Sequence, residues 1–317
     1  MGLHVSCRRL IKFTEVADLE EIRRMVADEE RLLVIGAGSN LLFTGNFDGT
    51  VLSPEIDYLA FTDDGVTAGA GVVMDELIAE CCRRGLWGLE NLSGIPGKVG
   101  ASVVQNVGAY GVEVKDAVEH VYVYDLATGR HDRLEARECS FGYRDSVFKH
   151  LTGKIVTAVT YRLSREARPR LDYGNLRQKL EGVSDLPPGD VREAVIAIRD
   201  TKLPDPKKTG SAGSFFKNPV ITARQFEALQ QKIGISDIPH YINPDGRIKV
   251  PAAWLIERAG WKGHSEGNAG VWHLQPLVIV NLTGYATPQE ILSLEERIVS
   301  SVKELSGITL VPEAEHI

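Results

Sequence analysis

The sequence predicts an α+β protein built of two units, and three observations carry that prediction. Short apolar runs at 32–35, 50–52, 121–126 and 154–163 read as strands, irregularly interleaved with helical stretches. The first of them runs into Gly36-Ala-Gly38, the opening of a dinucleotide fingerprint, yet the third glycine would fall at 41, which is Leu. No crossover helix follows within the roughly 30 residues such a unit needs, so a doubly wound parallel sheet is excluded. Finally, Pro204-Asp-Pro206 followed by Lys207-Lys-Thr-Gly-Ser-Ala-Gly213 reads as a helix stop and a linker, and it sets the boundary between the units.

The elements follow in order. Asp18-Leu-Glu-Glu21 reads as a capped helix start, with Leu19, Ile22, Met25 and Val26 on one face. Residues 32–35 read as a buried strand, and 41–43 and 50–52 as short strands parted by Gly45, Asn46 and Gly49. An amphipathic helix over 74–84 stops at Gly85. Strands at 121–126, 133–134 and 154–163 come next, then a helix from Asp190-Val-Arg-Glu193 through Arg199. Beyond the boundary lie helices near 222–232 and 252–259, a strand at 277–282 and a long last helix. Thr287-Pro-Gln-Glu290 opens that helix with an N-cap, Pro at the first position and Glu at the third. No repeat or low-complexity tract interrupts the pattern.

Composition narrows the function. With 43% hydrophobic and 25% charged residues the chain is neither disordered, nor collagenous, nor a coiled-coil rod. Thirty-six basic against 43 acidic residues give −7, and no Lys/Arg run exists, which argues against a nucleic-acid or membrane-surface binder. A local basic pocket for a phosphorylated small molecule stays open. The N-terminus has no apolar run of about 7–15 residues and the chain none of about 18, so a cytoplasmic location is expected. Gly2 with Ser6 fits the myristoylation pattern, a match short enough to recur by accident. Cys7, Cys81, Cys82 and Cys139 form no Cys-x-x-Cys pair and read as reduced structural thiols.

Residues 85–111 are the most unusual stretch: seven of the 27 are Gly, against 31 in all 317. That density costs backbone entropy and is repaid where backbone must approach a ligand, successive N–H groups facing an anion. Leu, Ile, Val and Trp punctuate the stretch, so a buried cofactor cradle fits better than a solvated loop. Metal chemistry finds no support, since the eight His are scattered without His-x-x-x-His or Cys/His spacing. A serine-hydrolase elbow at Ser214 would need Gly at 216, which is Phe.

Seven blocks in order along the chain carry a resemblance. They are Gly36-Ala-Gly-Ser-Asn-Leu-Leu-Phe43, Ile95-Pro-Gly-Lys-Val-Gly100, Gln105-Asn-Val-Gly-Ala-Tyr-Gly111 and Tyr143-Arg-Asp-Ser146. Lys202-Leu-Pro-Asp-Pro206, Gly213-Ser-Phe-Phe-Lys-Asn-Pro219 and Pro312-Glu313 complete them. Together they resemble the FAD-dependent UDP-N-acetylenolpyruvoylglucosamine reductases of peptidoglycan synthesis, the MurB family. Leu171-Asp-Tyr-Gly-Asn-Leu176 further resembles the subclass whose tyrosine-bearing loop closes over substrate.

The resemblance implies a two-lobed FAD-binding domain of the vanillyl-alcohol-oxidase (PCMH) type over 1–203, with a lobe boundary near 55–65. An α+β substrate-binding domain over 204–317 would return its last residues to the active site. FAD contacts are implied for Gly36, Gly38, Ser39, Asn40, Ile95, Gly97, Gln105, Asn106, Gly108 and Gly111, with Arg199 near the flavin end. NADPH would reduce the flavin and the enolpyruvyl sugar nucleotide would then take the hydride. Arg144 matches the arginine that meets the charge developing on the substrate carboxylate. Glu313 matches a carboxyl near the same group, and Ser214 the residue that protonates C2. Tyr173, Lys202, Asn218, Tyr241, Lys249 and Gln275 match positions that hold the UDP moiety. No metal, nucleic acid or membrane is implied, and a monomer is expected.

Plainer readings stand beside these. Arg144 has Asp145 next to it as an ion-pair partner, Ser214 follows a glycine as turn serines do, and Glu313 is near enough to the chain end to be a solvated carboxylate. Tyr173 and Tyr241 have the alternative of ordinary half-buried packing. The family pattern continues Glu-Val-Arg, whereas here Glu313 is followed by Ala314 and Glu315, so a cation is replaced by an anion and Glu315 is a rival for the role. A flavin oxidase on the same fold and a turnover-less sugar-nucleotide sensor are the competing functions. A sensor has no use for a C2 proton donor.

Overall fold

A computed structural model describes residues 1–26, 31–183 and 185–317, and the chain divides into two compact units. One comprises Cys7–Gly38 and Asp48–Arg199. The other joins Met1–Ser6 and Ser39–Phe47 to Asp200–Ile317. The single cut expected near 203/204 lies four residues beyond the last crossing, and it leaves out the two N-terminal pieces. Hydrogen bonds explain them: the Met1 amino group donates to Ser211 O (3.1 Å), and Leu41–Leu42 pairs in parallel with Glu315–His316.

In the first unit a three-stranded sheet orders Cys7–Phe13, Phe47–Pro54 and Leu32–Val34, with Phe47–Pro54 central. Helix α1 (Asp18–Met25) covers it through Leu19 and Ile22, while Met25 is exposed. Asp18 is the first helical residue rather than the cap, and its carboxylate accepts the Glu15 N–H at 3.1 Å. Leu32–Val34 is half-buried at best, because it is an edge strand. The next sheet begins at Leu59, five residues past Pro54. It is antiparallel throughout, ordered His131–Glu135, Val118–Asp125, Lys154–Arg162, Gly65–Gly69, Leu59–Phe61. Helix α2 (Met74–Arg83) packs Met74, Leu77, Ile78 and Cys81 into the core beneath it. Within the glycine-dense stretch a six-residue helix α3 (Val99–Val104), which the sequence reading did not anticipate, buries Val99 and Val103 in the same core. Helices α4 (Leu176–Lys179) and α5 (Pro188–Asp200) close the unit; α5 starts two residues ahead of Asp190.

The second unit holds its own core, which runs from Leu42 and Phe215 to Val302 and Leu310. Helix α6 (Ala223–Ile233) is capped by Thr222, α7 (Ala252–Arg258) follows, and α8 (Pro288–Ser306) opens on the expected Thr287/Glu290 capping box. The stretch 207–213 is not a linker. Gly210–Ser211 is an edge strand paired with Ile279–Asn281, and a Cβ on Gly210 would stand 2.2 Å from Met1 O. The four cysteines are free, and burial pushes the Cys81 and Cys82 thiols up to about 12.

Candidate active site

The glycines of the first unit divide by what faces them. Gly36 is squeezed against α3, where an added Cβ would lie 2.7 Å from Ala101 Cβ. Gly38, left-handed at φ +66°, has nothing within 4 Å of such a Cβ. The N–H groups of Gly36, Ala37 and Gly38 meet no acceptor among the described residues. In the second segment, Gly94 is clamped from both ends. Its N–H donates to Asp75 Oδ1 (2.6 Å), and its carbonyl accepts from Arg199 Nε (3.2 Å). Arg192 pairs with both oxygens of Asp75 and holds its carboxyl below the usual range. Gly97, at φ +149°, then turns the chain into α3. The first N–H groups of α3 are spent inside the protein: Val99 donates to Val72 O and Gly100 to Ala70 O. The anion-facing row expected along 95–111 is therefore used, at these two positions, for packing against 70–72.

Downstream of α3, Asn106 is fully buried in a left-handed conformation (φ +46°). Its amide donates to Glu113 Oε2 (3.0 Å) and Gly142 O (2.8 Å), and its oxygen accepts from Lys115 N. Its side chain thus ties loops together. Gln105 caps α3, and Ile95 is half-buried against the core. Gly108 seats Arg144: its carbonyl accepts from Nη2 at 2.8 Å, and a Cβ there would come within 3.0 Å of Nη1. Arg144 itself is left-handed (φ +55°) in the tight turn 142–145. The neighbouring Asp145 carboxylate faces His150 (2.9 Å), and Arg144 Nη1 lies 3.9 Å from Glu113 Oε1. Non-glycine residues at positive φ cost free energy and gather at functional sites; Asn106, Tyr110 and Arg144 all belong to this region. Tyr173, partly exposed, packs edge-on against Tyr110 with ring centroids 6.1 Å apart.

The second unit carries Ser39, Asn40, Lys202, Ser214, Asn218, Tyr241, Lys249, Gln275 and Glu313. Here the 214–217 segment runs antiparallel to 311–314. Phe216 bridges Pro312, Glu313 N donates to Phe215 O (2.8 Å) and Lys217 N to Val311 O (2.9 Å). Phe215 and Phe216 are buried, which pins Ser214 at the mouth of this ribbon. On its other side the terminal strand is held by Asn40, whose Nδ2 donates to Glu313 O and whose carbonyl accepts from Glu315 N. Strand alternation puts 313 and 315 on one face; Glu313 is half-buried and Glu315 exposed, with Ala314 buried between them. Lys249 Nζ lies 5.5 Å from the Tyr241 ring on the paired strands Tyr241–Ile242 and Ile248–Lys249. Asn218 Oδ1 accepts the first N–H of α7 from Ala252. Gln275 sits in the turn 272–278, and Lys202 is exposed just past α5.

Comparison with known proteins decides what these parts belong to. The profile of the UDP-N-acetylenolpyruvoylglucosamine reductase C-terminal domain matches residues 205–317, and that of an FAD binding domain matches 8–135. The UDP-N-acetylenolpyruvoylglucosamine reductase of Bacteroides fragilis strain YCH46 is 42% identical over 315 residues, 96% of this chain and 94% of that one. The chain belongs to this family. The reductase of Burkholderia vietnamiensis is 43% identical, covering 98% of this chain and 92% of its own. The crystal structure of the Thermus caldophilus reductase (MurB) aligns with a TM-score of 0.66 at 28% identity, over 97% of this chain and 91% of that one. As a family member with an FAD-binding domain of the expected type, the chain is an FAD-dependent oxidoreductase of peptidoglycan precursor synthesis.

The residues present fit a flavin dinucleotide. The N–H groups at 36–38, acceptor-less among the described residues, and the open space at the Cβ position of Gly38 suit a pyrophosphate. Three residues that tie these loops together are not singled out by the sequence: Asp75, Arg192 and Asn91. Asp75 and Arg192 stand on separate helices, and nothing local in the sequence links them. Asn91 stands beside Glu90 between Leu89 and Leu92, a pattern that does not set it apart from a surface turn.

Proposed function

We propose that this chain reduces UDP-N-acetylglucosamine enolpyruvate to UDP-N-acetylmuramate, with NADPH as the electron source. Bound FAD supplies the hydride chemistry between the two reactants. Gly36, Gly38, Ser39, Asn40, Ile95, Gly97, Gln105, Asn106, Gly108, Gly111 and Arg199 hold it. The open N–H row at 36–38 supports a pyrophosphate there, and the clamped Gly94 supports Arg199 at the flavin end.

Arg144 takes the substrate carboxylate. Its guanidinium is fixed by Gly108 O on one edge, so it meets charge gathering on the carboxylate without reorganising. Ser214 gives its hydroxyl proton to C2, and Glu313 supports the carboxylate end. The observation that carries this assignment is the ribbon in which Phe215 O takes the Glu313 N–H, because it holds Ser214 and Glu313 in one rigid element. Tyr173, Lys202, Asn218, Tyr241, Lys249 and Gln275 bind the uridine diphosphate, two cations and two phenols suiting that group. The 1–203 part serves mainly the cofactor, with Arg144, Tyr173 and Lys202 turned to the substrate, and the remainder serves the sugar nucleotide. The enzyme works as a cytoplasmic monomer without nucleic acid or membrane, in keeping with its net charge of −7.

Anaerobic titration tests the reading. Purified yellow protein should bleach with NADPH and recover its flavin absorption on adding the enolpyruvyl sugar nucleotide. Oxygen consumption with an alcohol and no need for NADPH would instead establish the flavin oxidase.

A further inference from the structure

Asn91 lies in the short turn Glu90–Leu92 and is completely buried. Its amide makes two divergent hydrogen bonds, Nδ2 to Tyr110 O (2.9 Å) and to Arg170 O (2.8 Å). Its Oδ1 is buried with no partner among the described residues. Rotating the amide would set that oxygen against two carbonyl oxygens, so the orientation is fixed by its partners. A buried amide that forgoes one of its bonds costs free energy, and the core around it has apolar side chains of similar size. What the asparagine gains is a join between two segments of the same unit that no strand pairing connects.

Both segments matter for Tyr173. Tyr110, left-handed at φ +48°, packs its ring on Tyr173. Gly111, at φ +78°, lets Tyr173 Cβ approach to 3.6 Å of where its own Cβ would be. Arg170 comes three residues before Tyr173. Asn91 therefore fixes both sides of the Tyr110–Tyr173 contact from beneath. The turn that carries it is rigid: Glu90 Oε2 accepts the Gly88 N–H (2.7 Å) and Ser93 Oγ donates to Glu90 O (2.6 Å). Another tie on this loop, Arg170 to Asp116 at 2.9 Å, is exposed and correspondingly weak, and Leu171 packs against the small core that holds Trp87 and Leu176.

We infer that Asn91 is a positioning residue for sugar-nucleotide binding, holding the Tyr173 segment in register with the 105–111 loop. The inference rests on the reading that Tyr173 contacts the sugar nucleotide. The test uses full-length, flavin-loaded Asn91→Ala, Asn91→Ser and Asn91→Asp. Losing both bonds should raise the KM for the enolpyruvyl sugar nucleotide about tenfold or more, while NADPH-to-flavin transfer stays within about twofold. Amide hydrogen exchange over 165–180 should quicken about tenfold or more, with the five-stranded sheet unchanged. In a Tyr173→Ala background the Asn91 substitution should add little further KM, because the pair acts as one unit.

Unchanged exchange over 165–180 would overturn the inference. So would loss of flavin and sheet protection together, or insolubility of all three variants, since each assigns Asn91 to the core alone. The exchange measurement needs no substrate, so it decides the positioning role even if the parental enzyme fails to reduce the enolpyruvyl sugar nucleotide. If Tyr173→Ala leaves the sugar-nucleotide KM unchanged, the Tyr173 assignment fails, and with it the functional half of the inference.

Discussion

The two units present their functional residues by different means. The first works largely through backbone: glycines at 36–38, a peptide clamped at Gly94, and Arg144 braced by a carbonyl. The second works through side chains set on a ribbon and two short strands: Ser214, Glu313, Tyr241 and Lys249. The contrast fits the partners. A dinucleotide held for many turnovers is gripped by backbone donors that cannot rotate away, whereas a substrate that must change protonation needs side chains that can give a proton. Damage to the first unit should therefore cost cofactor or fold, and damage to the second should cost one chemical step.

The largest effect should come from Ser214→Ala. Flavin content and reduction by NADPH should stay near parental, since neither needs the C2 proton. Reoxidation by the enolpyruvyl substrate should slow by about 10²–10⁴-fold, the range for a lost general acid. Anaerobic stopped-flow at the flavin band separates the steps, and Cys at the position should recover part of the rate. Parental reoxidation in the alanine variant would make Ser214 a turn residue and blur the division between the units.

Two glycines test the first unit. Gly100→Val forces atoms into a space where Cβ alone would lie 2.8 Å from Ala70 Cβ, so the thermal midpoint should fall by the equivalent of about 3 kcal/mol. Gly38→Asn carries a Cβ into open space with a residue that tolerates left-handed backbone. Its apo stability should stay within about 1 kcal/mol of parental while flavin occupancy drops. Full occupancy there would remove 36–38 from the cradle. Tyr173→Phe, like Arg144 from the first unit yet assigned to substrate, sharpens the contrast as an exception to it. One hydrogen bond to a charged group lost should cost about 2 kcal/mol, read as a raised KM for the sugar nucleotide and an unchanged one for NADPH.

Sequence alone made the fold legible unevenly. Helices with end signals were legible: Thr287 and Glu290 fixed the start of α8, and Gly85 the end of α2. The family was legible because glycine-rich blocks keep their order. Contacts between distant positions were not. Nothing local marks Gly210 as a strand residue pressed on Met1, or Gly108 as the seat of Arg144 thirty-six residues on. Glycine in a sequence reports only that a Cβ is unwelcome; whether ligand or protein excludes it depends on the fold. For the same reason 95–111 read as one cradle, although Val99 and Gly100 turn their N–H groups inward.

The smallest effect should appear in the pH dependence of stability, and it sets the units apart once more. In the first, the partly buried Asp75 is paired with Arg192, which keeps its charge through the whole range and holds the carboxyl low, so its contribution is lost only in acid. In the second, Glu295 is buried on the core face of α8 with His316 Nε2 at 3.1 Å, and burial pushes its carboxyl up to about 7 from an ordinary 4.5 while it lowers the His316 imidazole. A folded pKa above the unfolded one means the native state keeps a proton that the unfolded chain gives up. Stability therefore falls as pH rises from about 4.5 to about 7 and then levels. A shift of this size corresponds to at most about 3 kcal/mol. Glu295→Gln removes the titration, so its thermal midpoint should exceed the parental one at pH 8 and converge with it near pH 5. Parallel curves across that range would mean that Glu295 is solvated enough to ionise freely, and the terminal strand that bears Glu313 would then feel no pH-dependent pull from α8.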